Sequence, residues 1–465
     1  MRVWRLSATE LTSAYRSGET DPLSVFDALQ DRIGRINPAL TAIVELDANA
    51  RAAARRSAER YAHGTPLGPL DGVPVTIKDS ILVAGLHCRW GSRLYEDFVP
   101  SADELPVARL RAGGAVIVGK TNVPEFTLEG YTTNLLFGTT RNPWDTRLTP
   151  GGSSGGAVAA VASGLGPLAL GTDGGGSIRR PVSHTGLVGL KTSIGRVARG
   201  PSLPQILLDL ETIGPIARTV DDLALAMSVI GAPDVRDRRS FVANDPRRRA
   251  SPLRLRYVRR FGDSPVDPAI LASTDAAAQT LASLGIAVDE GPLPFDIASV
   301  VEMWPVLGQV GAAFVAGLHP GRFEAIGPRM RAQAEAGRGI AATRYLEVIE
   351  AIDAFRRSVT AAFENVDLIM TPSAAALPWP ADEPFPTVID GQAVGPRGHA
   401  VFTAWVNVCG HPGLALPSAP SPGGLPIGFQ LVGPFGADDM LIDIGRRFET
   451  AQPWRERWPA LADET

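Results

Sequence analysis

The stretch from Gly151 to Lys191 constrains this chain more than any other, because it contains two glycine-crowded turns that each present a serine. The turns read GGSSGG at 151–156 and GTDGGGS at 171–177, and an alanine-rich segment separates them. Glycine costs backbone entropy, so this density indicates unusual dihedral angles or close approach of the backbone. Neither turn is a P-loop, since no Gly-Lys-Ser/Thr follows the glycines. A hydroxyl beside free backbone N–H groups is typical of acyl-transfer chemistry.

The composition excludes several other classes of protein. The chain has 465 residues, 45% of them hydrophobic and 20% charged, and its net charge is −4. These values are ordinary for a globular enzyme and give no basic excess for nucleic acid. The two cysteines, Cys88 and Cys409, predict neither a disulfide framework nor a zinc site. The N-terminus lacks the apolar core of a signal peptide and no run of 18 apolar residues occurs, so we expect a cytoplasmic protein that does not bind a membrane.

Short strands alternate with helical patterns through most of the chain. A capping box predicts a helix after Ser7, and a second helix is expected to fill 22–36 before Asn-Pro stops it. A β-branched strand leads to Lys78 at its carboxyl end. The charged, proline-bearing segment 232–252 is predicted to leave the core. Because strands and helices alternate, we expect an α/β fold with a large, mostly parallel sheet covered on both faces.

Three residues could carry acyl-transfer chemistry. Ser153 lies in a G-x-S-x-G match at 151–155, and Ser177 follows three glycines whose N–H groups could converge on one oxygen. A nucleophilic serine needs a base, but none of the six histidines lies in a context that indicates a triad. Lys78 could serve instead if burial kept it neutral, since the ordinary pKa of lysine is about 10.4. The residues alone leave both a Ser-His-Asp and a serine–lysine mechanism open.

Seven segments together resemble the amidase signature family. They span most of the chain in the expected order, and their joint occurrence is very specific. They are GVPVTIKD at 72–79, KTNVPEF at 120–126, TRNPWD at 140–145, GGSSGG at 151–156, GTDGGGSIRRP at 171–181, GLVGLKTSIGR at 186–196 and GLPIGFQLVGP at 424–434. The resemblance implies one α/β/α amidase domain over 1–465, built on a large mixed sheet. Its signature core would cover about 70–230, and the part at 253–450 would complete the sheet and the substrate pocket.

The resemblance also implies a Ser–cis-Ser–Lys triad. The family's nucleophile falls on Ser177, its bridging serine on Ser153 after a cis peptide, and its base on Lys78. Ser177 would attack the amide carbonyl while Ser153 passes its proton to neutral Lys78. The oxyanion donors fall on four consecutive backbone N–H groups, those of Gly174, Gly175, Gly176 and Ser177.

Several neighbours are expected to support this triad or to bind substrate. Asp173 and Arg179 resemble the family's structural pair that braces the glycine loop. Ser154 is expected to hydrogen-bond locally, for example to Lys78, or to cap a helix. Arg180 stands where the family usually has an uncharged residue, so it could bind a substrate carboxylate through two hydrogen bonds or form a surface ion pair.

A second group of residues has two interpretations each. Asp79 follows Lys78 directly but should point to the opposite face of the strand, so we expect it to be structural. Cys409 is expected to be a small buried residue rather than a nucleophile. Four aromatic residues could form an apolar substrate wall or pack in the core: Trp304, Trp379, Phe402 and Trp405.

These observations predict a hydrolase that cleaves the C–N bond of a linear, small-molecule carboxamide through an acyl-enzyme, without metal or cofactor. Homodimers are common in the family, which leaves a homodimer open. The nearest rival is the glutaminase-type component of a tRNA-dependent amidotransferase, disfavoured because VNVCG at 406–410 replaces the Asn-Leu-Ala-Gly turn of that component. A rival from another class is a nucleotide-binding module whose glycine loops hold phosphate at a helix N-terminus.

Overall fold

An 11-stranded sheet runs through the computed structural model, which describes residues 2–241 and 252–463. The order of its strands is β1-β3-β2-β6-β8-β7-β14-β15-β11-β9-β10, and two short pairs, β4-β5 and β12-β13, lie outside it. The strands are β1 (Ile43–Leu46), β2 (Pro74–Lys78), β3 (Val116–Thr121), β4 (Thr133–Asn134), β5 (Gly138–Thr139), β6 (Leu168–Asp173), β7 (Val188–Lys191), β8 (Thr212–Ala217), β9 (Arg254–Tyr257), β10 (Ala287–Glu290), β11 (Leu368–Pro372), β12 (Val388–Ile389), β13 (Gln392–Ala393), β14 (Gly413–Pro417) and β15 (Gly428–Val432).

Thirteen α-helices connect or cover these strands within the described residues. They are α1 (Ala8–Ser17), α2 (Pro22–Leu40), α3 (Ala50–Ala62), α4 (Leu105–Ala112), α5 (Gly155–Ala162), α6 (Arg179–Thr185), α7 (Val220–Ile230), α8 (Pro268–Ser283), α9 (Ala298–Gly317), α10 (Pro328–Arg338), α11 (Ala342–Ala362), α12 (Ala404–Cys409) and α13 (Asp438–Ala451).

The sheet is mixed, as the family resemblance implied, but the expectation of a mostly parallel sheet is wrong. Four neighbouring pairs are parallel: β2–β3, β2–β6, β9–β10 and β9–β11. Six are antiparallel: β1–β3, β6–β8, β7–β8, β7–β14, β14–β15 and β11–β15. Alternation of strands with helices indicates a layered α/β fold, yet it carries no information on strand direction where loops join neighbours, as between β14 and β15.

Strand β6 shows how the two faces are covered. Leu168 and Leu170 pack into a cluster with apolar residues of α7 and α13, whereas Ala169 packs into a cluster with α5 and α6 on the other face. Successive side chains of a strand point to opposite faces, so the two clusters lie on the two sides of the sheet. Helix α5 is buried throughout, which its run of small apolar residues permits. The α/β/α arrangement is therefore confirmed.

The N-terminal elements match the predictions with small differences. Ser7 forms the expected capping box with Glu10 at the start of α1. Helix α2 continues past the predicted stop to Leu40 and contains Pro38, because the proline falls in the last turn. Asn37 Oδ1 accepts hydrogen bonds from the N–H groups of the two residues that follow Thr41, which stabilises that end.

Two further segments bear on the predictions. Residues 242–251 of the predicted excursion at 232–252 lie outside the described residues. The part before them is attached to the body of the protein, since Arg109 donates hydrogen bonds to the carbonyls of Ala232 and Pro233. Helix α9 is the one described helix that is long and apolar enough to span a membrane by length and composition. It packs against α10 and α11.

Candidate active site

The parallel neighbours β2 and β6 bring Lys78 next to Thr172. Their register pairs Ile77 with Leu170, so the carboxyl ends of both strands meet at one edge of the sheet. Val75 and Ile77 pack into the apolar cluster on one face, which directs Lys78 to the face covered by α5 and α6. The serine turns precede those two helices, so the strand register together with the packing of α5 and α6 brings the predicted triad residues to one edge of the sheet.

Lys78 is fully buried and held by three acceptors. Its Nζ lies 2.8 Å from Ser153 Oγ, 2.8 Å from Thr172 Oγ1 and 3.1 Å from the Thr172 carbonyl. Burial lowers the pKa of Lys78 from 10.5 to about 7, and the nearby charges of Glu211 and Asp173 only partly oppose this effect. A neutral amine has two N–H groups and one lone pair. If Thr172 accepts both N–H groups, the lone pair faces Ser153.

Ser153 follows a cis peptide bond after Gly152, as the resemblance implied. The turn packs so closely that a Cβ at Gly152 would lie 2.7 Å from the carbonyl oxygen of Tyr131. One turn further on, a Cβ at Gly156 would lie 2.3 Å from the backbone nitrogen of Asn122. The glycines are therefore required for close backbone approach, which fixes the start of α5 and with it Ser153.

Ser177 borders a cavity of about 250 Å³. Its hydroxyl has no hydrogen-bond partner among residues 2–241 and 252–463, and its carbonyl accepts a bond of 3.2 Å from the Ser154 N–H. The two serine turns are thus joined through the backbone, while the Ser177 hydroxyl is free to meet a ligand. The structure brings Lys78 and Ser153 into direct contact and places Ser177 on the adjoining turn.

The glycine loop offers fewer free N–H groups than the resemblance implied. Gly176 donates its N–H to Asp173 Oδ1 at 2.7 Å, so its interpretation as an oxyanion donor is wrong for this conformation. The N–H groups of Gly174, Gly175 and Ser177 have no acceptor within the described chain. Three donors therefore remain at the cavity.

Asp173 and Arg179 form a buried ion pair with two hydrogen bonds, of 2.9 and 3.0 Å. Burial opposes the charge of Asp173, but the Arg179 guanidinium and the hydrogen bonds from Asn407 and the Ile178 N–H together hold the pKa of that carboxyl well below its usual range. Arg179 also donates to the side chains of Asn407 and Gln430. The pair therefore ties the glycine loop to α12 and β15, in agreement with a structural role.

Ser154 and Asp79 support the site differently. Ser154 donates its hydroxyl to the Thr172 carbonyl at 3.2 Å, so neither the bond to Lys78 nor the helix cap is present. Asp79 lies 3.6 Å from the Nζ of Lys120 in a separate buried pair, as a structural residue would.

Arg180 does not form the surface ion pair that was its alternative interpretation. It is 4% exposed and donates through Nη1 to the Gly175 carbonyl at 2.6 Å and to Thr403 Oγ1 at 3.0 Å. Burial, with the charge of Arg397 as the next cause, lowers the pKa of Arg180 to about 9. Neither Arg180 nor Arg397 contacts a carboxylate of the described residues.

The carboxylates at this cavity have other arginine partners. Glu129 pairs with Arg329 at 3.0 Å, and Glu211 shares Arg199 with the buried Glu104, at 3.0 and 2.8 Å. Arg180 and Arg397 are therefore the cavity's two arginines without a carboxylate contact among the described residues.

The aromatic residues divide between wall and core. Trp304 borders the cavity of Ser177, and Trp405 lines a neighbouring cavity. Phe402 is fully buried, and Trp379 is buried against the ring of His399 at 4.6 Å. The prediction for Cys409 is confirmed: it is buried, and burial raises the pKa of its thiol to about 11.

Four residues of the site escaped the sequence interpretation. Thr172 lies in the GTDGGGS segment at 171–177, and its position shortly before Ser177 was the signal that could have identified it as a site residue. Asn407, Arg397 and His399 come from a late segment that carries only a general match. His399 borders the cavity with neither ring nitrogen bonded to a described residue, and burial keeps the pKa of His399 well below its usual value. Within the described ranges no group of three metal-ligating side chains occurs.

Comparison with known proteins identifies the family. A profile of the family described as Amidase matches residues 24–442. The chain belongs to the amidase family. Relatives of this amidase-family chain include the A component of the glutamyl-tRNA(Gln) amidotransferase of Symbiobacterium thermophilum, which is 33% identical over 491 residues and is matched over 99% of both chains. Amidase-type hydrolysis is thus its class of reaction.

Two solved structures show the same fold as this amidase-family chain. A bacterial aryl acylamidase of the amidase signature family superposes with a TM-score of 0.89 at 28% identity, over 99% of both chains. A 6-aminohexanoate cyclic dimer hydrolase in complex with substrate superposes with a TM-score of 0.89 at 27% identity, over 99% of this chain and 100% of that one. The large mixed sheet with helices on both faces is therefore the amidase signature fold.

Proposed function

We propose that this protein is an independently acting amidase that cleaves a linear carboxamide through an acyl-enzyme on Ser177. The observation that carries the proposal is the buried Lys78, whose pKa is lowered to about 7 and whose Nζ lies 2.8 Å from Ser153 Oγ. A lysine that is half neutral near pH 7 can accept a proton, whereas an exposed lysine cannot. Because Thr172 can accept both N–H groups of the neutral amine, its lone pair is directed at Ser153.

The reaction then runs in two steps. The Ser177 hydroxyl rotates towards Ser153 and attacks the amide carbonyl carbon. Its proton passes to Ser153, and the proton of Ser153 passes to Lys78. The N–H groups of Gly174, Gly175 and Ser177 stabilise the oxyanion, at about 3 kcal/mol for each donor. The proton returns along the same path to the departing nitrogen, and a water molecule deprotonated by this route hydrolyses the ester on Ser177.

We propose that Arg180 binds a carboxylate on the substrate. The support is its burial beside the nucleophile without an acidic partner in the described chain, and the nearby second cation, Arg397. Its Nη1 braces Gly175, and its Nη2 donates a long bond of 3.5 Å to the Gly152 carbonyl. The Nε group has no acceptor in the described chain, and Nη2 keeps a second N–H, so two donors remain for an anion. Replacing Arg180 with Gln should lower kcat/KM for an amide with a free carboxylate by at least tenfold, and for a neutral amide of equal length by less than threefold. Equal losses on both amides would reject this role.

We also propose that residues 1–465 work as one domain, without cofactor and in the cytoplasm. One sheet contains strands from both the signature core and the C-terminal part, which favours a single unit. The two cysteines are free and buried, as expected in a reducing compartment. The proton relay requires no cofactor, metal or nucleic acid.

A second candidate function is that of the glutaminase-type component of a tRNA-dependent amidotransferase. It is favoured by the 33% identity to the A component of a glutamyl-tRNA(Gln) amidotransferase over nearly the whole chain. The two candidates differ in their need for partner proteins. We therefore propose measuring ammonia release by the purified chain alone from glutamine, aliphatic and aromatic amides, and amides of dicarboxylic acids.

The expected result is turnover of at least one amide by the lone chain, with loss of activity and of covalent fluorophosphonate labelling in Ser177→Ala. A lone chain that releases no ammonia from any of these amides, although its Ser177 is labelled, would favour the amidotransferase component. Labelling that persists in Ser177→Ala would refute the assignment of the nucleophile.

A further inference from the structure

A larger, apolar cavity of about 830 Å³ adjoins the cavity of Ser177. We call it the apolar chamber, and it is lined by residues from the loops after β9 and β10, from the first half of α9 and from the segment 395–405, which includes the start of α12. Representative lining residues are Phe261, Leu293, Phe295, Val300 and Trp405. Four residues border both cavities: Trp304, Pro396, Arg397 and Ala400. The chamber is therefore continuous with the wall of the catalytic cavity.

Trp304 and Arg397 form the partition between the two cavities. The edge of the Trp304 ring lies against the oxyanion loop, since a Cβ at Gly175 would lie 2.5 Å from Trp304 Cζ2. The Arg397 guanidinium lies over the same ring, 4.9 Å from its centre. One aromatic side chain thus touches the glycine loop that would hold the reacting carbonyl and also borders the chamber. Anything bound in the chamber lies one side chain away from that loop.

The volumes indicate how the two cavities are used. Small-molecule sites in proteins usually enclose about 300–1,000 Å³. The cavity of Ser177, at about 250 Å³, falls below that range, and the chamber, at about 830 Å³, falls within it. The catalytic cavity alone accommodates a carboxamide and a few further atoms. A larger substrate has to extend beyond this cavity, and the chamber adjoins it behind Trp304 and Arg397.

The walls of the chamber also define the chemistry of its occupant. They are mainly aliphatic and aromatic, and the rings of Phe295 and Trp405 lie 5.1 Å apart. Arg260, Ser264 and Asp296 also border the chamber, and two further donors on its surface lack a partner that would compensate them. Trp405 is 1% exposed and its indole Nε1 has no acceptor among the described residues, while Arg397 has no carboxylate partner there. An unsatisfied buried donor is costly, so an occupant with an acceptor near this ring would be favoured.

We propose that the apolar chamber binds the apolar arm of the amide substrate, so that the preferred substrates are amides with an aliphatic or aromatic arm long enough to pass Trp304. This inference rests on the proposed amidase function and adds the class of substrate. Each methylene moved from water into the chamber should raise kcat/KM about fourfold. The increase should begin only when the arm is long enough to pass the partition, and it should end when the chamber is filled.

The test is the chain-length dependence of kcat/KM for linear primary amides from acetamide to decanamide. Val301→Trp places a bulky ring at the mouth of the chamber, where Val301 is 67% exposed and the substitution should not disturb folding. The matched control is Val388→Trp, because Val388 is 56% exposed and does not line either cavity. We expect Val301→Trp to lower kcat/KM for long amides at least tenfold and to leave kcat/KM for acetamide unchanged. We expect the control variant to behave as the parent enzyme on every amide.

A binding measurement separates this inference from the proposed function. Ser177→Ala protein is titrated with 1-anilinonaphthalene-8-sulfonate, an aromatic anion, with and without Val301→Trp. Saturable binding of the dye, with an affinity that Val301→Trp lowers at least tenfold, supports the chamber as an apolar site. If this binding is found but no amide is hydrolysed, only the proposed function fails. Hydrolysis that is independent of arm length, or a gain that survives Val301→Trp, overturns the inference and leaves the amidase intact. Conversion of a dimer to a monomer by Val301→Trp, measured by light scattering, would assign the chamber to a contact between two copies of the chain and also overturn it.

Discussion

The proton relay predicts that kcat/KM for amide hydrolysis rises with pH and reaches a plateau just above neutrality. Only neutral Lys78 can accept the proton from Ser153. Lys78 is fully buried, and this burial lowers its pKa from 10.5 to about 7. Raising the pH therefore converts the lysine to its active form over a range in which most of the protein's other groups do not change charge.

The expected magnitude follows from the fraction of neutral lysine. With a pKa of about 7, this fraction is about 10% at pH 6, about 50% at pH 7 and about 90% at pH 8. The rate should therefore rise about tenfold from pH 6 to pH 8 and then level off. An ordinary lysine, with a pKa of about 10.4, would give a rise of about a hundredfold over the same interval and no plateau below about pH 10.

The assay is ammonia release from an uncharged carboxamide, at constant ionic strength, with circular dichroism at each pH to show that the protein stays folded. Lys78→Met should lose about 10²–10⁴ in kcat/KM together with the pH dependence. Lys191→Met is the matched control, because Lys191 is also fully buried but its Nζ donates to the carbonyls of Thr192 and His411. Lys78 would be refuted as the base if log kcat/KM of the parent enzyme still rose with unit slope beyond pH 9. A Lys78→Met enzyme with the same pH dependence as the parent would refute it as well.

Three predictions concern stability. Because the folded state depresses the pKa of Lys78, the unfolded chain binds more protons between about pH 7 and 10.5, so stability should rise with pH in that window. Lys78→Met should therefore raise the free energy of unfolding in urea at pH 7 by about 1–3 kcal/mol, after the loss of the hydrogen bonds of Lys78 is subtracted, and by less at pH 10. Asp173→Asn leaves the buried Arg179 without its charge partner and should cost about 3–5 kcal/mol in urea unfolding. Asp27→Asn breaks an exposed pair with Arg51 and should leave the urea midpoint unchanged. Gly156→Ala should lower both the melting temperature and kcat, since its Cβ would lie 2.3 Å from Asn122 N; a wild-type melting curve would contradict this close packing of the α5 backbone.

The site could be predicted from the sequence to the extent that it consists of short segments. Ser153, Ser177 and Lys78 each lie in a motif of a few residues, and their identification needed only those motifs and their order. The role of Ser154 and the use of the Gly176 N–H could not be predicted, because both depend on which acceptor lies within hydrogen-bonding distance. Neighbours in the chain offer several acceptors, and only the folded positions select one of them.

The late segment of the chain also shows that short motifs do not predict contacts between distant parts of the chain. Arg397, His399 and Asn407 come from residues that match no short motif, although Arg397 and His399 border the cavity of Ser177 and Asn407 donates to Asp173, 234 positions away. The contribution of Asn407 depends on α12 packing against the Asp173–Arg179 pair. Apolar periodicity predicts that such segments are buried, but it does not state which distant element they cover.

The sequence by itself determined the family, the alternation of strands and helices, and the residues of the predicted triad, because glycine turns, caps and apolar periodicity are local properties of the chain. The tertiary structure decided the directions of the strands, the burial that lowers the pKa of Lys78, the position of Arg180 without a carboxylate contact in the described chain, and the apolar chamber behind Trp304. Each of these depends on distances between segments remote in sequence, and on the removal of water from between them, which no local pattern records.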